Sequence, residues 1–370
     1  MPADSRSSTS FLAVAMIAAS LSLASGPVRA AADASGCDKI ADQAAKITAC
    51  TSIIEAPGET GESRARARNS RAQAYLSTRE YDRAIADLDQ VIELEPTNAN
   101  AYVARGNAYK SKAEPDRAIA DYDEAIRLAP KDAVAFINRG NAYQDKKDYE
   151  AAIADYDEAI RLAPKYAIAF SNRGNAYRAK GDGERALDDF NEAIKLNPKL
   201  PNAHNGRGNV YWDRKDLDRA IVEYTEALRV DPRFALALLN RGNAQFARRD
   251  FDAAIADLSA ALRIDPKYAA ALIGRANAYR RKGDTDLALA DYDEAIRLGQ
   301  KNAGLYNARG EIHLARWEID PAIADFDEAL RLDPNLDRAL LNRGQAHQRR
   351  GENYRALADY FRVIYRHVTR

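Results

Sequence analysis

Apolar residues along this chain recur at helical spacing in two successive runs, and the pair of runs repeats every 34 residues. In the stretch 99–132, the first run places Tyr102 and Tyr109 on one face, and the second run does the same with Ala118 and Tyr122. A proline follows the second run at the same interval and ends the helix there. The pattern predicts an all-α chain built from one repeated helix-turn-helix unit.

Counted from Ala65, this unit tiles the remainder of the chain without a gap. The nine predicted units are 65–98, 99–132, 133–166, 167–200, 201–234, 235–268, 269–302, 303–336 and 337–370. Because a helical hairpin cannot bury its own apolar face, neighbouring units must share one continuous core. The length of 370 residues therefore indicates one repeat array rather than several closed domains.

Small residues mark where the predicted helices approach one another. Alanine fills position 20 of every unit, as at Ala118 and Ala186, and position 27 of the seven inner units. Such uniformity predicts helix backbones that lie too close for a larger side chain. Position 24 is mostly aromatic, as at Tyr122 and Phe190, and is expected to fill the adjoining space.

Taken together, these positions resemble those of the tetratricopeptide repeat family, of the secreted bacterial type. That family carries a large residue at position 4, glycine at 8, tyrosine at 11, alanine at 20 and 27, an aromatic at 24 and proline at 32. The resemblance implies an α-α superhelix, a right-handed solenoid whose first helices line a concave groove. It also implies a protein or extended peptide as the partner, bound in that groove.

The first 30 residues differ in composition from the rest of the chain. Arg6 precedes an apolar run from Phe11 to Ala24, and small residues stand before a cleavage point at Ala30. We expect a signal peptide over residues 1–30 and a periplasmic or secreted mature chain. The apolar run is shorter than the ~20 residues of a membrane anchor. Lipoprotein processing at Cys37 is an alternative, although the leucine usual before a lipid-modified cysteine is missing.

Residues 31–64 are predicted to form an N-terminal cap on the array. They contain both cysteines of the chain, Cys37 and Cys50. A pair in an exported chain predicts a disulfide, with two free thiols as the alternative. The segment AKITACTSII aligns with the second helix of a unit and places Cys50 in the aromatic position.

Charge and motif content exclude several functions. The 55 basic and 55 acidic residues balance, so no general attraction to nucleic acid is implied. The four histidines stand in separate units, and no phosphate loop, metal motif or nucleophile elbow occurs. The sequence therefore predicts no catalytic residue, no metal site and no cofactor.

Position 7 is arginine in all nine units, although the related family usually has leucine there. Position 23 is acidic in all nine, as at Asp189 and Glu223. A charge buried between helices must be paired. We therefore predict that each arginine bonds an acidic side chain of its own or the preceding unit, with a role in ligand binding as the alternative.

Asparagine recurs at positions 6 and 9 of the predicted first helices. An amide donates and accepts hydrogen bonds, which suits the backbone of an extended peptide, but asparagine here is also a common framework choice. Trp212 is the strongest apolar anchor, with core packing as the alternative. The predicted groove residues are Asn107, Asn138, Asn141, Asn172, Asn175, Asn209, Trp212, Asn240, Asn243, Phe246 and Asn277.

The sequence thus predicts a non-catalytic scaffold that binds a peptide or protein in its groove. The alternative is a regulatory or substrate-recruiting module for an envelope or secretion enzyme on another chain. The last predicted helix carries Tyr360, Phe361, Ile364 and Tyr365, and no solvating helix is predicted behind it. This feature predicts an end-to-end homo-oligomer.

Overall fold

The computed structural model of the chain describes residues 36–368. The predicted signal peptide lies outside these residues. The described part holds nineteen α-helices, one short 3₁₀ turn and no β-strand, which confirms the all-α superhelix. Within it, no helix combines the length and the apolar character that are required to cross a membrane.

The N-terminal cap consists of the 3₁₀ turn Cys37–Lys39 and helix α1, Gln43–Glu55. Eighteen further helices follow in antiparallel pairs. They are α2 (Gly61–Ser77), α3 (Tyr81–Leu94), α4 (Ala99–Ser111), α5 (Pro115–Leu128), α6 (Ala133–Asp145), α7 (Tyr149–Leu162), α8 (Ala167–Ala179), α9 (Gly183–Leu196), α10 (Pro201–Asp213), α11 (Leu217–Val230), α12 (Ala235–Ala247), α13 (Phe251–Ile264), α14 (Ala269–Lys282), α15 (Thr285–Arg297), α16 (Ala303–Ala315), α17 (Ile319–Leu332), α18 (Asp337–Arg349) and α19 (Asn353–Val368).

Polar side chains fix where many of these helices begin. Asn98 accepts a hydrogen bond from the backbone of α4, and Asp148 does the same for α7. Asp116 lies in the first turn of α5 rather than at its N-cap. The N-cap is Glu114, because Pro115 has a fixed φ and no N–H and therefore suits the first helical position.

Helix contacts define an inner and an outer layer. Each first helix packs on the second helix of its own unit and on that of the unit before it. First helices also touch one another, as α4 touches α6 and α10 touches α12, whereas second helices make no comparable contact within residues 36–368. The first helices therefore lie on the inner side of the curve and form the wall of the groove.

The core consists of the small and large residues that the repeat pattern indicates. Ala118, Ala186 and their equivalents at position 20 are fully buried, and so are Tyr122 and Phe190 at position 24. The ring of Tyr122 lies so close to Gly106 that a Cβ on this glycine would stand 2.6 Å from Cε1. A side chain on Gly106 would therefore force the Tyr122 ring to shift, although alanine fills position 8 in two other units, at Ala72 and Ala276.

A disulfide closes the cap on itself, and apolar and polar contacts hold the cap against the array. Cys37 and Cys50 form the predicted disulfide, with their Cα atoms 5.3 Å apart, and both cysteines are buried against Ala67 of α2. Thr51 of α1 accepts a hydrogen bond of 2.7 Å from Arg71. In sequence alignment with a unit, Thr51 occupies position 25. Helix α1 thus takes the place of a second helix in front of α2.

Candidate functional site

Every arginine at position 7 pairs with the acidic residue at position 23 of its own unit. In eight units Nε and Nη2 donate to the two carboxylate oxygens over 2.6–2.9 Å, as Arg173 does to Asp189. The Arg173 side chain is 20% exposed and that of Asp189 is 7% exposed. The prediction that each arginine at position 7 pairs with an acidic side chain is confirmed. We call this row of nine pairs between positions 7 and 23 the ion-pair ladder. Its guanidinium groups bond carboxylates rather than a ligand.

The third donor of each guanidinium crosses to the neighbouring unit. Nη1 of Arg105 donates to Asp89 over 2.6 Å, and Nη1 of Arg173 donates to Asp157 over 2.5 Å. The acceptor stands at position 25 of the preceding unit in each case. Three acceptors in the middle of the array are neutral: Asn191, Thr225 and Ser259. The ladder therefore bonds both within and between units.

Burial and hydrogen bonding act in opposite directions on the pair of Arg105 and Asp121. Burial raises the pKa of Asp121 above its ordinary value, and the bonds from Arg105 oppose this shift. The hydrogen bond to Asp121 is the largest cause that raises the pKa of Arg105. Because both oxygens of Asp121 accept short bonds from one guanidinium, its ionised form is the one that fits the geometry.

The fifth unit departs from this arrangement. Its acid is Glu223, which accepts from Nη2 of Arg207 and lies 3.1 Å from Nδ1 of the buried His204. Nε of Arg207 is buried without a partner. Burial raises the pKa of Glu223, but the bonds from His204 and Arg207 together outweigh it and lower the pKa overall. The longer side chain of glutamate explains why the two parallel bonds of the other units are lost.

Four of the predicted groove asparagines hold buried tyrosines. The hydroxyls of Tyr122, Tyr156, Tyr224 and Tyr292 donate to Oδ1 of the asparagine at position 9 of the same unit over 2.6–2.8 Å. Burial is the main cause that raises the pKa of Tyr292 to about 12, so this hydroxyl stays protonated at neutral pH. The asparagines involved are Asn107, Asn141, Asn209 and Asn277. These contacts turn the amide Nδ2 groups away from the tyrosines.

Asparagines at position 6 connect neighbouring first helices. Nδ2 of Asn172 donates to Oδ1 of Asn141 over 2.9 Å, and Nδ2 of Asn240 donates to Oδ1 of Asn209 over 3.1 Å. Among the described residues, Nδ2 of Asn141 and Asn209 and Oδ1 of Asn172 and Asn240 make no hydrogen bond. Each pair therefore has a framework role and still offers one unused donor group and one unused acceptor.

The remaining predicted groove residues take no part in these asparagine and tyrosine hydrogen bonds. Asn138, Asn175 and Asn243 are half-buried and make no hydrogen bond in the part of the chain that the structure describes. Asn175 and Asn243 belong to units that have Phe190 or Leu258 in place of the tyrosine, which explains the missing bond. Phe246 packs against Phe251 of its own hairpin, with ring centroids 5.5 Å apart, and lies partly within the core.

Trp212 lies in a groove pocket of about 300 Å³. The structure brings four predicted residues together there, and sequence reasoning missed Leu236, an exposed apolar side chain at position 2 of its unit. Trp212 is half-buried and also packs on the core formed by α10, α11 and α12, so the core packing that the sequence left open is observed beside its place in the pocket. The pocket is lined by Arg178, Asn209, Trp212, Tyr224, Leu236, Asn240 and Asn243.

A second pocket of about 460 Å³ lies farther along the array, between Ile273 and Leu336. Glu311 interrupts the asparagine row here and forms ion pairs with Arg280 and Arg338. The sequence analysis did not identify this cluster, although a glutamate at position 9, where most units have asparagine, indicates a different local pairing. Asn307 and Asn342 also donate to Glu311, so its carboxylate accepts from four side chains, whereas Nε of Arg280 is buried without a hydrogen-bond partner.

The arrangement offers groups that can recognise a ligand. Residues 36–368 contain no group of three or more histidine, cysteine, aspartate or glutamate side chains that could hold a metal ion. The polar groups that face the groove are amides and paired charges. Such a surface can form hydrogen bonds with a backbone and can bury apolar side chains.

Family comparisons agree with the repeat pattern. Models described as the tetratricopeptide repeat match residues 99–132 and 205–269. A model described as TPR repeat matches residues 72–112, 140–181, 174–214 and 276–316. The matched segments together cover more than half of the chain. No curated protein sequence matches it.

Solved structures show the same architecture. The Cut9–Hcn1 hetero-tetramer of the APC/C has a TM-score of 0.60 and 18% identity, over 81% of this chain and 58% of that chain. A tetratricopeptide repeat protein from Parabacteroides merdae has a TM-score of 0.49 and 22% identity, over 67% and 98% of the two chains. PilF from Pseudomonas aeruginosa has a TM-score of 0.47 and 21% identity, over 56% and 94%. At 18% identity the first similarity shows the fold alone.

Proposed function

Since the chain belongs to the tetratricopeptide repeat family, an architecture of protein-interaction scaffolds, we propose that its groove binds an extended peptide segment of a partner protein. The binding surface runs over α6, α8, α10 and α12. The single observation that carries the proposal is the set of unused amide groups on the asparagine pairs in this stretch.

The asparagine pairs supply hydrogen bonds in an alternating order. Asn141 and Asn209 present N–H donors, while Asn172 and Asn240 present carbonyl acceptors. An extended peptide carries one donor and one acceptor per residue, so it can satisfy both kinds of group. Because the buried tyrosines orient two of these amides in advance, little conformational entropy is lost when the peptide binds.

Apolar side chains add affinity beside the amides. Val134, Ile168 and Leu236 are exposed at position 2 of their units, and Leu236 lines the Trp212 pocket. Arg178 beside this pocket is paired with Asp213 over 2.7 Å, so the middle of the groove is close to neutral. These features favour a peptide with apolar side chains rather than a strongly charged one.

The proposed location of the mature chain is the periplasm or the cell exterior. The Cys37–Cys50 disulfide supports an oxidising compartment. The apolar run of the predicted signal peptide supports export of the chain to such a compartment.

Random peptides displayed on phage and selected on the purified chain provide a direct test. A selected peptide is labelled, and its affinity is measured by fluorescence anisotropy for the wild type, Trp212→Ala and Asn175→Ala. We expect Trp212→Ala to weaken binding about tenfold or more. Asn175→Ala is expected to weaken it about threefold to tenfold, because one hydrogen bond to the peptide is lost.

Asn175 is suited to this test because it makes no hydrogen bond within the described chain, so its loss leaves the framework intact. Val222→Ala, an exposed change on α11 outside the groove, is the matched control and should leave affinity unchanged. Equal affinity of one selected peptide for all four proteins would contradict groove binding.

A further inference from the structure

Helix α19 presents a continuous apolar face on the outer side of the last hairpin. Tyr354 is 92% exposed, Phe361 is 63% exposed and Tyr365 is 71% exposed. The spacing places the whole set on a single helix stripe. The exposed residues of this face are Tyr354, Leu357, Ala358, Phe361, Ile364, Tyr365 and Val368.

Three of these residues are aromatic at positions that are polar or charged in the preceding units. Position 18 is acidic in the eight units before it and is Tyr354 here. Position 25 is polar in those units and is Phe361 here, and position 29 is charged in those units and is Tyr365 here. The terminal unit of a repeat array is expected to carry a more polar outer face. Three aromatic replacements on one stripe indicate an interface instead.

The face is not suited to another unit of the same kind. In the described array, the residue at position 25 accepts the crossing hydrogen bond of the next arginine, as Asp327 does from Arg343. Phe361 has no acceptor, so an arginine placed there would lose this bond. The opposite end of the array does not match either, because the exposed residues of α1 are small or polar, among them Ala44, Thr48 and Ser52.

The stripe does match itself. When two copies of α19 run antiparallel with Phe361 opposite Phe361, Leu357 lies opposite Tyr365, Ala358 opposite Ile364 and Tyr354 opposite Val368. Each apolar residue thus meets an apolar residue of the other copy. We propose that two copies of this chain associate tail to tail through α19, with an antiparallel helix pair centred on Phe361.

The area of the face is adequate for a stable contact. Its large side chains expose roughly 900 Å² per copy, by the ~150–250 Å² of a full aromatic side chain, and a specific dimer needs roughly 800 Å² per partner. A two-fold contact of this type closes on itself, so it gives a dimer and not a filament. The proposal is independent of groove binding, since α19 is a second helix and lies outside the groove wall.

Sedimentation of the full mature chain over a wide concentration series tests the assembly. We expect the wild type to reach twice the monomer mass, and we expect Phe361→Asp, which restores the common residue of position 25, to raise the dissociation constant about tenfold or more. Val222→Asp, with 58% exposure on another second helix, is the control and should dimerise as the wild type does. Urea unfolding checks that both variants remain folded.

Cysteine cross-linking tests the register. Under mild oxidation Phe361→Cys should form a covalent dimer with itself, and Leu357→Cys should not. A mixture of Leu357→Cys and Tyr365→Cys should form a mixed dimer. Efficient self-linking of Leu357→Cys would indicate parallel helices and overturn the proposal. A wild-type chain that stays monomeric would also overturn it. So would a wild-type chain that binds phosphatidylcholine–phosphatidylglycerol vesicles through this face in place of a second copy.

Discussion

A buried arginine at position 7 is an unusual choice for a helix interior, because removing its charge from water costs free energy. In this chain the cost is offset by two parallel bonds to one carboxylate and by a third bond to the adjoining unit, as for Arg173 with Asp189 and Asp157. A pair of apolar residues at the same site would give similar stability. The arginine adds directionality, since its fork fits one arrangement of two neighbouring hairpins.

Removing one partner of an Arg–Asp pair should lower the free energy of unfolding more than removing both partners. Arg173→Leu leaves Asp189 buried without its partner, and we expect the free energy of unfolding to fall by about 2–4 kcal/mol. Arg173→Leu combined with Asp189→Leu should lose less than the single change. Urea unfolding followed by circular dichroism measures both variants.

The exposed pair of Arg161 and Glu158 serves as the control for this comparison. Arg161→Ala should change the free energy of unfolding by about 0.5 kcal/mol or less, because water screens the pair. A double variant that is no more stable than Arg173→Leu alone would show that the loss comes from packing rather than from an unpaired charge.

The sequence allowed the ladder to be predicted, because position 7 is arginine and position 23 is acidic in every one of the nine units. It did not indicate the acceptor at position 25 or the bond from Tyr156 to Asn141. Which polar positions face each other across two hairpins depends on the tilt between helices, and periodicity along one helix does not contain that angle. The groove pockets share this limitation, since Leu236 and Asn209 come from different units.

At the scale of the element, the hairpin α10–α11 differs most from its neighbours. It buries His204 where every other unit after the first has an aromatic or aliphatic residue, and it uses Glu223 in place of aspartate. Helix bounds at this scale follow from the repeat pattern and from caps. Helix α2 starts at Gly61, before the first predicted unit, because Thr60 caps it through its side chain.

The lowered pKa of Glu223 gives the α10–α11 hairpin a defined pH dependence. Its carboxylate stabilises the folded state above the ordinary pKa of 4.5, and this contribution is lost as the pH falls through the lower folded value. Glu223→Gln should therefore reduce the free energy of unfolding at neutral pH by about 2–3 kcal/mol. The difference in the free energy of unfolding between Glu223→Gln and the wild type should become smaller as the pH falls below the pKa that Glu223 has in the unfolded chain.

Urea unfolding at a series of pH values measures this effect. Glu226→Gln on the same helix is the matched control, because Glu226 pairs with Arg229 in an exposed position. Its effect should stay within about 0.5 kcal/mol at every pH. A Glu223→Gln penalty that does not change with pH would exclude the ionised carboxylate as its source.

At the scale of the whole molecule, the two proposals assign different surfaces of the array to different partners. The inner wall of first helices carries amides and apolar side chains and is the proposed peptide site, while the exposed face of α19 carries aromatic residues and is the proposed contact with a second copy. A tail-to-tail dimer would hold two grooves in one assembly. A partner with two binding segments would then bind more tightly than either segment alone, provided that its linker spans the distance between the grooves.

The neutral acceptors Asn191, Thr225 and Ser259 have a mechanical consequence. The joints on either side of the Trp212 pocket lack the second carboxylate that strengthens other joints of the array, and a neutral hydrogen bond is weaker than a charge-assisted one. Bending is therefore expected to concentrate in the middle. Thr225→Asp should raise the urea midpoint, and Thr225→Asn should not. If a peptide binds as proposed, the native neutral joints should let the curvature of the groove adjust in this stretch.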